Sequence, residues 1–249
     1  MLQSFMDEIQ TNKIKRFLSK FGFRLSRSNS NKFATDKENY PELANQSFKD
    51  KPQLIIFDIG ANIGQTAHAF RAQFPEAAIY SFEPFRSSYA ALLQNTRTLS
   101  VSCHQLALGA ELRQTRVRLV SRSAAFTENS LLHMPTEETP EEMTESIDIV
   151  TVDAFCRANS ILKIDILKTD TEGYELEVLK GSRTLLQAGR ITNVLCEATL
   201  KEHDANHINF FKLVEFLAPY GLHPYSIYDV CHCSDGSVYY LNALFKLRR

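Results

Sequence analysis

LIIFDIGANIG, residues 54–64, decides how this chain is read. Four apolar residues, Leu54 to Phe57, run into Asp58 and then into a turn carrying Gly60, Asn62 and Gly64. An apolar run of this length suits a strand buried on both faces, as in a parallel sheet. The segment that follows, Gln65 to Phe74, has helical spacing. Glycines at a strand-to-helix corner let a ligand approach the backbone, and the new helix offers N–H groups with no acceptor inside it. Such a corner suits a nucleotide-type cofactor at the carboxyl end of a strand.

Working outward, strands and helices alternate. Ala78–Phe82 reads as a second strand closing on Glu83-Pro84, followed by a helix over 86–98 and a third strand over 101–108. Ile164–Thr169 is a fourth core strand that delivers Asp170, Glu172 and Gly173 at its end. A helix over 174–188, interrupted at Gly181, leads to a fifth strand over 191–196 that ends at Glu197. After a helix over 206–217, strands at 222–230 and 238–247 flank Ser234-Asp235-Gly236, a hairpin turn. This order predicts a mostly parallel α/β sheet with helices on both faces and one antiparallel strand near an edge.

Between the third and fourth core strands the pattern changes. Thr115–Ser121 and Ile147–Val152 alternate apolar and polar residues, as half-exposed strands do, and are expected to pair. The stretch between them, 123–145, is irregular and rich in Glu, Thr and Ser. Residues 110–150 therefore read as an inserted arm or lid. Residues 51–249 form the catalytic-type domain, and 1–50 an N-terminal helical extension and linker.

Composition narrows the class. The chain has 249 residues, 44% hydrophobic and 23% charged, which fits one α/β domain plus an extension. A formal charge of −1 gives no reason to expect a nucleic-acid partner. Five scattered cysteines read as reduced thiols, and Cys231-His232-Cys233 reads as part of a hairpin because no second pair completes a metal site. With no leader or spanning segment in view, a cytoplasmic protein is expected. Lys13 to Arg27 carries six basic residues and no acid beside an apolar helical stripe, so peripheral contact with an anionic membrane stands beside plain packing.

Three carboxylates punctuate the core strands: Asp58, Glu83 and Asp170. Parallel strands gather such ends on one rim, and Glu83, nineteen residues beyond Gly64, is placed to accept both ribose hydroxyls of a nucleoside. The turn reads D-x-G-x-N-x-G, without the last glycine of a dinucleotide turn. S-adenosylmethionine, which has no diphosphate, fits better than NAD. Its carboxylate needs backbone N–H groups, and its cationic end and ribose each need an acid. The cofactor set is therefore Asp58, Gly60, Asn62, Gly64, Glu83 and Asp170.

FDIGANIGQT, YSFEPF, LALG, VTVDAF, LKTDTEGYELEVLKGSRTLL and VLCEA together resemble the FkbM family of S-adenosylmethionine-dependent methyltransferases, over roughly Leu54 to Glu197. The family's D-x-E-G-x-E segment stands here as Asp170, Glu172, Gly173 and Glu175. Asn62 occupies a glycine position of the broader methyltransferase turn. The resemblance implies a Rossmann-like seven-stranded sheet with its last strand antiparallel. It also implies O-methylation of a sugar, glycan or natural-product hydroxyl, so the acceptor is a small molecule or glycan.

An alcohol needs its proton removed before it attacks, so a base is sought at the reaction centre. Asp170 and Glu172 are the catalytic candidates, with Asp170 equally suited to the donor's ammonium. Glu197 and His203 are second candidates. No adjacent ligand pair marks a metal, and none is expected. A silent binding module and an NAD-type oxidoreductase are the alternatives, separable by turnover and by cofactor preference.

Overall fold

The computed structural model describes residues 53–123 and 129–248. The extension and linker expected over residues 1–50, with the basic stripe, lie outside the described residues. The core elements in chain order are β1 (Ile55–Ile59), α1 (Gln65–Gln73), β2 (Ala78–Phe82), α2 (Arg86–Thr96) and β3 (Val101–His104). β4 (Ala107–Leu108), β5 (Arg113–Arg118) and β6 (Thr144–Val150) follow, then α3 (Val152–Ala158) and β7 (Ile166–Thr169). The chain continues through α4 (Glu175–Lys180), α5 (Arg183–Gln187), β8 (Asn193–Ala198), α6 (Phe210–Leu217), β9 (Leu222–His232) and β10 (Val238–Leu247).

Seven strands form one sheet in the order β3-β2-β1-β7-β8-β10-β9. The first five in that order pair in parallel. β10 runs antiparallel to both β8 and β9, which gives the antiparallel last strand that the hairpin turn foreshadowed. Residues alternate between two apolar layers because strand side chains point to opposite faces. Ile56, Ile79, Ile166 and Leu195 pack with Phe70 of α1 on one face. Phe57, Leu167, Val194 and Phe245 pack on the other with Val178 of α4 and Leu213 of α6. Burying such side chains contributes about 1.5–3 kcal/mol each.

Two expected elements divide. The strand read over 101–108 breaks after His104, and Ala107–Leu108 leaves the main sheet to pair in parallel with β6. β5 pairs antiparallel with β6, as the alternation implied, so the arm carries a three-stranded sheet of its own in the order β4-β6-β5. The helix read over 174–188 is two helices. A Cβ at Gly181 would stand 2.0 Å from the Gly109 carbonyl oxygen, so the backbones touch there. The Asp153 carboxylate then accepts the N–H groups of Thr184 and Leu185, at 2.8 and 3.1 Å, at the head of α5. The helix read over 206–217 starts only at Phe210, because the Asn209 side chain caps it by accepting from Phe211 and Lys212.

Candidate active site

A cavity lies at the carboxyl ends of β1, β2 and β7, where the parallel topology gathers strand tips. Its floor is the β1 corner, with Gly60, Ala61, Asn62, Gln65 and Thr66. Glu83 and Phe85 come from the end of β2, and Lys168, Asp170 and Glu172 from the end of β7. Leu106, Leu108 and Leu131 supply an apolar wall from the arm and its approach.

Glu83 is buried, and both its oxygens are already engaged: Oε2 accepts the Asn62 N–H at 2.9 Å and Oε1 the Phe85 N–H at 3.0 Å. A carboxylate has about four lone-pair sites, so acceptor capacity remains. Burial pushes this carboxyl up to about 7, while the amides of Phe85 and Asn62 pull it down. Asn62 takes a left-handed φ of 47°, and its Oδ1 is a buried acceptor with no hydrogen-bond partner.

The glycine corner works differently from its sequence reading. The N–H groups of Gly60 and Ala61 both donate to the Phe82 carbonyl at 3.0 Å, and that of Gly64 to Ala61 at 2.8 Å. These amides hold the turn together. The first N–H groups of α1, at Gln65 and Thr66 on the cavity wall, are the donors without an acceptor inside the helix. Gly60 is required for another reason. At its φ of +77° a Cβ would lie 1.8 Å from the Asp170 carbonyl oxygen, so only glycine lets the β1 and β7 turns touch. Gly64 does not line the cavity; a Cβ there would press on Thr96 and Leu92 of α2, so it serves helix packing.

Asp58 also stands away from the cavity wall. It lies within β1, fully buried, directly opposite Ser81 of β2 and Lys168 of β7. Its Oδ1 is 3.1 Å from Lys168 Nζ, and its Oδ2 accepts from Ser81 Oγ at 3.4 Å. Burial raises the Asp58 carboxyl, and the Lys168 charge opposes that rise. Lys168 Nζ also lies 3.5 Å from Asp170 Oδ2 and donates to the Gly60 carbonyl at 3.2 Å. This lysine was overlooked in the sequence, although a charge inside the run ILKT was a signal.

Glu172 adopts a left-handed φ of 53° and lines the cavity. Burial raises its carboxyl to about 8, helped by Asp170 and Glu197 and opposed by His207. Glu175, quoted in the D-x-E-G-x-E segment but given no role, organises the turn. Its Oε1 accepts from Thr171 N at 2.7 Å, Thr171 Oγ1 at 2.9 Å and Gly173 N at 3.2 Å. Burial lifts Glu175 to about 7. The arm latches onto the same turn, since Ser130 Oγ donates to the Glu172 carbonyl at 2.7 Å. Glu197 lies just past the cavity on β8, whereas His203 is exposed. Among the described residues no group of three His, Cys, Asp or Glu side chains could hold a metal ion.

A seven-stranded sheet of this order, with an acid-lined cavity where its parallel strands finish, places the protein among Rossmann-like α/β proteins. The chain belongs to the FkbM methyltransferase family: the Methyltransferase FkbM domain matches residues 58–221. It is 25% identical over 154 residues to the hexuronic acid methyltransferase AglP of Haloferax volcanii, a match covering 62% of this chain and 60% of that one. It is also 25% identical over 143 residues to Methyltransferase 1 of Beauveria bassiana, covering 51% of this chain and 57% of that protein. The chain thus spans about 60% of the length of the curated relatives it matches. Among solved structures, the METTL16 methyltransferase domain aligns with a TM-score of 0.48 at 12% identity, over 81% of this chain and 62% of that one.

Proposed function

We propose that the protein moves a methyl group from S-adenosylmethionine to a hydroxyl oxygen on a sugar, glycan or related natural product. One observation carries this reading: opposite chemistries are spaced along one cavity, with Glu83 at the β2 end, Lys168 and Asp170 at the β7 end, and an apolar wall beside them. When bound, the donor supplies a methyl group on a sulfonium, an activated leaving group. The residues fit it. The remaining lone pairs of Glu83 accept ribose hydroxyls, and the unpartnered Asn62 Oδ1 takes a further donor. Leu106, Leu108 and Leu131 offer apolar surface to a base. Asp170 and Lys168 present both signs of charge to a zwitterionic tail, and the first amides of α1 add donors for its carboxylate.

On the acceptor side, Glu172 takes the hydroxyl proton, and the site's main contribution is alignment of the attacking oxygen. Asp170 is assigned to the donor's ammonium, since it stands beside Lys168 at the tail end. The relative named for hexuronic acid supports a sugar acceptor.

The test has two parts: calorimetric titration with S-adenosylhomocysteine, and a donor-labelled transfer screen across sugars, uronic acids and lipid-linked glycans. Product binding with label on oxygen supports the proposal. Product binding without label on any acceptor favours a silent module, and no product binding overturns the reading.

A further inference from the structure

A second cluster stands behind the Glu172 turn. Glu197 is the penultimate residue of β8, one position beyond Cys196, which pairs with Thr169 of β7, so it is level with Asp170. After β8 the chain loops out and returns, closing the loop with Thr199 N donating to the Ile208 carbonyl at 2.9 Å and Phe210 N to the Thr199 carbonyl at 2.8 Å. That return places His207 beneath the site with its side chain almost wholly buried.

The ring is held at every edge. Asp204 Oδ1 lies 2.9 Å from His207 Nδ1 and also accepts the N–H groups of Asn206 and His207, each at 3.0 Å. His207 Nε2 faces Glu197 Oε2 at 3.4 Å. Tyr240 stacks on the ring at 5.6 Å and 15°, and Tyr239 meets it edge-on at 5.3 Å. The Glu172 turn rests directly on this loop: a Cβ at Gly173, φ +96°, would stand 3.2 Å from the Ala205 carbonyl oxygen and 3.0 Å from Leu132.

One carboxylate is enough to orient an imidazole. Two, at opposite ends of a buried ring, hold it as a cation. We propose that His207, clamped between Asp204 and Glu197, is a positioning residue whose fixed positive charge lets Glu172 ionise at the edge of the cavity. This rests on the reading of Glu172 as the acceptor-side base.

The local charges explain why such a device is needed. Burial raises the Glu172 carboxyl first, the charges of Asp170, Glu197 and Glu175 add to that rise, and the His207 charge opposes it. Glu197 in turn feels His207, Asp170 and Lys168. Without His207, burial together with three acids would hold the Glu172 proton in place. Burial by itself lowers the His207 imidazole, but its bonds to Glu197 and Asp204 outweigh that and lift it to about 9, so it stays charged while Glu172 titrates.

The test is a carbon-13 NMR titration of the glutamate side-chain carboxyls in the full chain, with the Glu172 signal assigned by Glu172→Gln. His207→Gln is expected to raise the Glu172 midpoint by about one pH unit, the size a lost neighbouring charge confers. Asp204→Asn, which keeps the ring but removes one of its anchors, is expected to raise it less. Product affinity, measured with S-adenosylhomocysteine, stays within about threefold, because His207 is set apart from the donor groups of the cavity. A Glu172 midpoint unmoved in both variants overturns the proposal. If His207→Gln does not fold, the Asp204→Asn titration decides alone. Absence of product binding by the unaltered protein overturns the methyltransferase reading instead, and the titration still reports on the clamp.

Discussion

Lys168 Nζ lies 3.1 Å from Asp58 Oδ1, and these two residues stand opposite each other in the parallel pairing of β7 with β1. The acid that opens the glycine motif is therefore neutralised from within the sheet. Its charge is spent on holding a lysine at the cavity wall. Removing one partner of a buried pair strands the other charge, which costs about 3–5 kcal/mol. Lys168→Met is expected to lower stability by that amount in chemical denaturation. The double variant Asp58→Asn/Lys168→Met should recover a large part of the loss, and strict additivity would contradict the pairing.

Glu83→Ala is expected to weaken S-adenosylhomocysteine binding about 10- to 100-fold, the scale of a lost charge-assisted hydrogen bond. It also strips an acceptor from the Asn62 and Phe85 amides, so a parallel melting curve is needed. Glu83→Gln keeps an acceptor and separates the two effects. Unchanged affinity in both variants would remove Glu83 from the donor site.

Glu175 gathers three donors on one oxygen, none of which comes from a ligand. Glu175→Ala should cost about 1–3 kcal/mol for each donor left buried and unsatisfied. Glu175→Gln retains the acceptor oxygen, so it should fold with little loss. Equal damage in both would mean that charge, rather than acceptance, holds the turn.

The buried acids set the pH dependence of stability. Glu83 and Glu175 rise to about 7 and Glu172 to about 8, all from an ordinary value of 4.5. Between those limits the folded chain binds more protons than the unfolded one. Stability from these groups is complete below about pH 4.5 and is lost as pH rises through 7 to 8. His207, raised from 6.5 to about 9, adds a loss in the same direction at higher pH. Asp204, lowered, acts only on the acid side. Melting temperature should decline from about pH 5.5 to pH 9, and a steady increase over that span would contradict the burial of these carboxyls.

Gly60→Ala should prevent normal folding, or cost well over ~2 kcal/mol, because a left-handed φ and a collision with the Asp170 carbonyl coincide. Gly64→Ala meets only the ends of Thr96 and Leu92 side chains at 3.0 and 3.1 Å, and should be milder in the same melting assay.

The fold was largely legible because its elements carry strong local signals. Apolar runs, glycine corners and Ser234-Asp235-Gly236 located every core strand and the terminal hairpin. What escaped depends on contacts between distant residues. Gly181 marked the interruption of its helix locally, but the cause, backbone contact with Gly109 72 positions away in sequence, has no local pattern. At the site, Asp170, Glu172, Glu83, Asn62 and Gly60 do meet at one cavity. Asp58 and Gly64 have other duties, because parallel register and helix packing direct them elsewhere. Lys168 carried one local signal, a charge inside the apolar run ILKT, whereas His207 gains its meaning from Glu197 on β8 and Asp204 three residues before it.

The bare contact of Gly60 with the Asp170 carbonyl welds the two turns at the cavity floor into a single block. The arm touches that block more lightly, through the Ser130 hydroxyl and the side chains of Leu131 and Leu132. Segments grafted between Gly109 and Val150 would therefore recast the cavity wall at Leu131, while the joined Gly60 and Asp170 turns beneath keep their spacing.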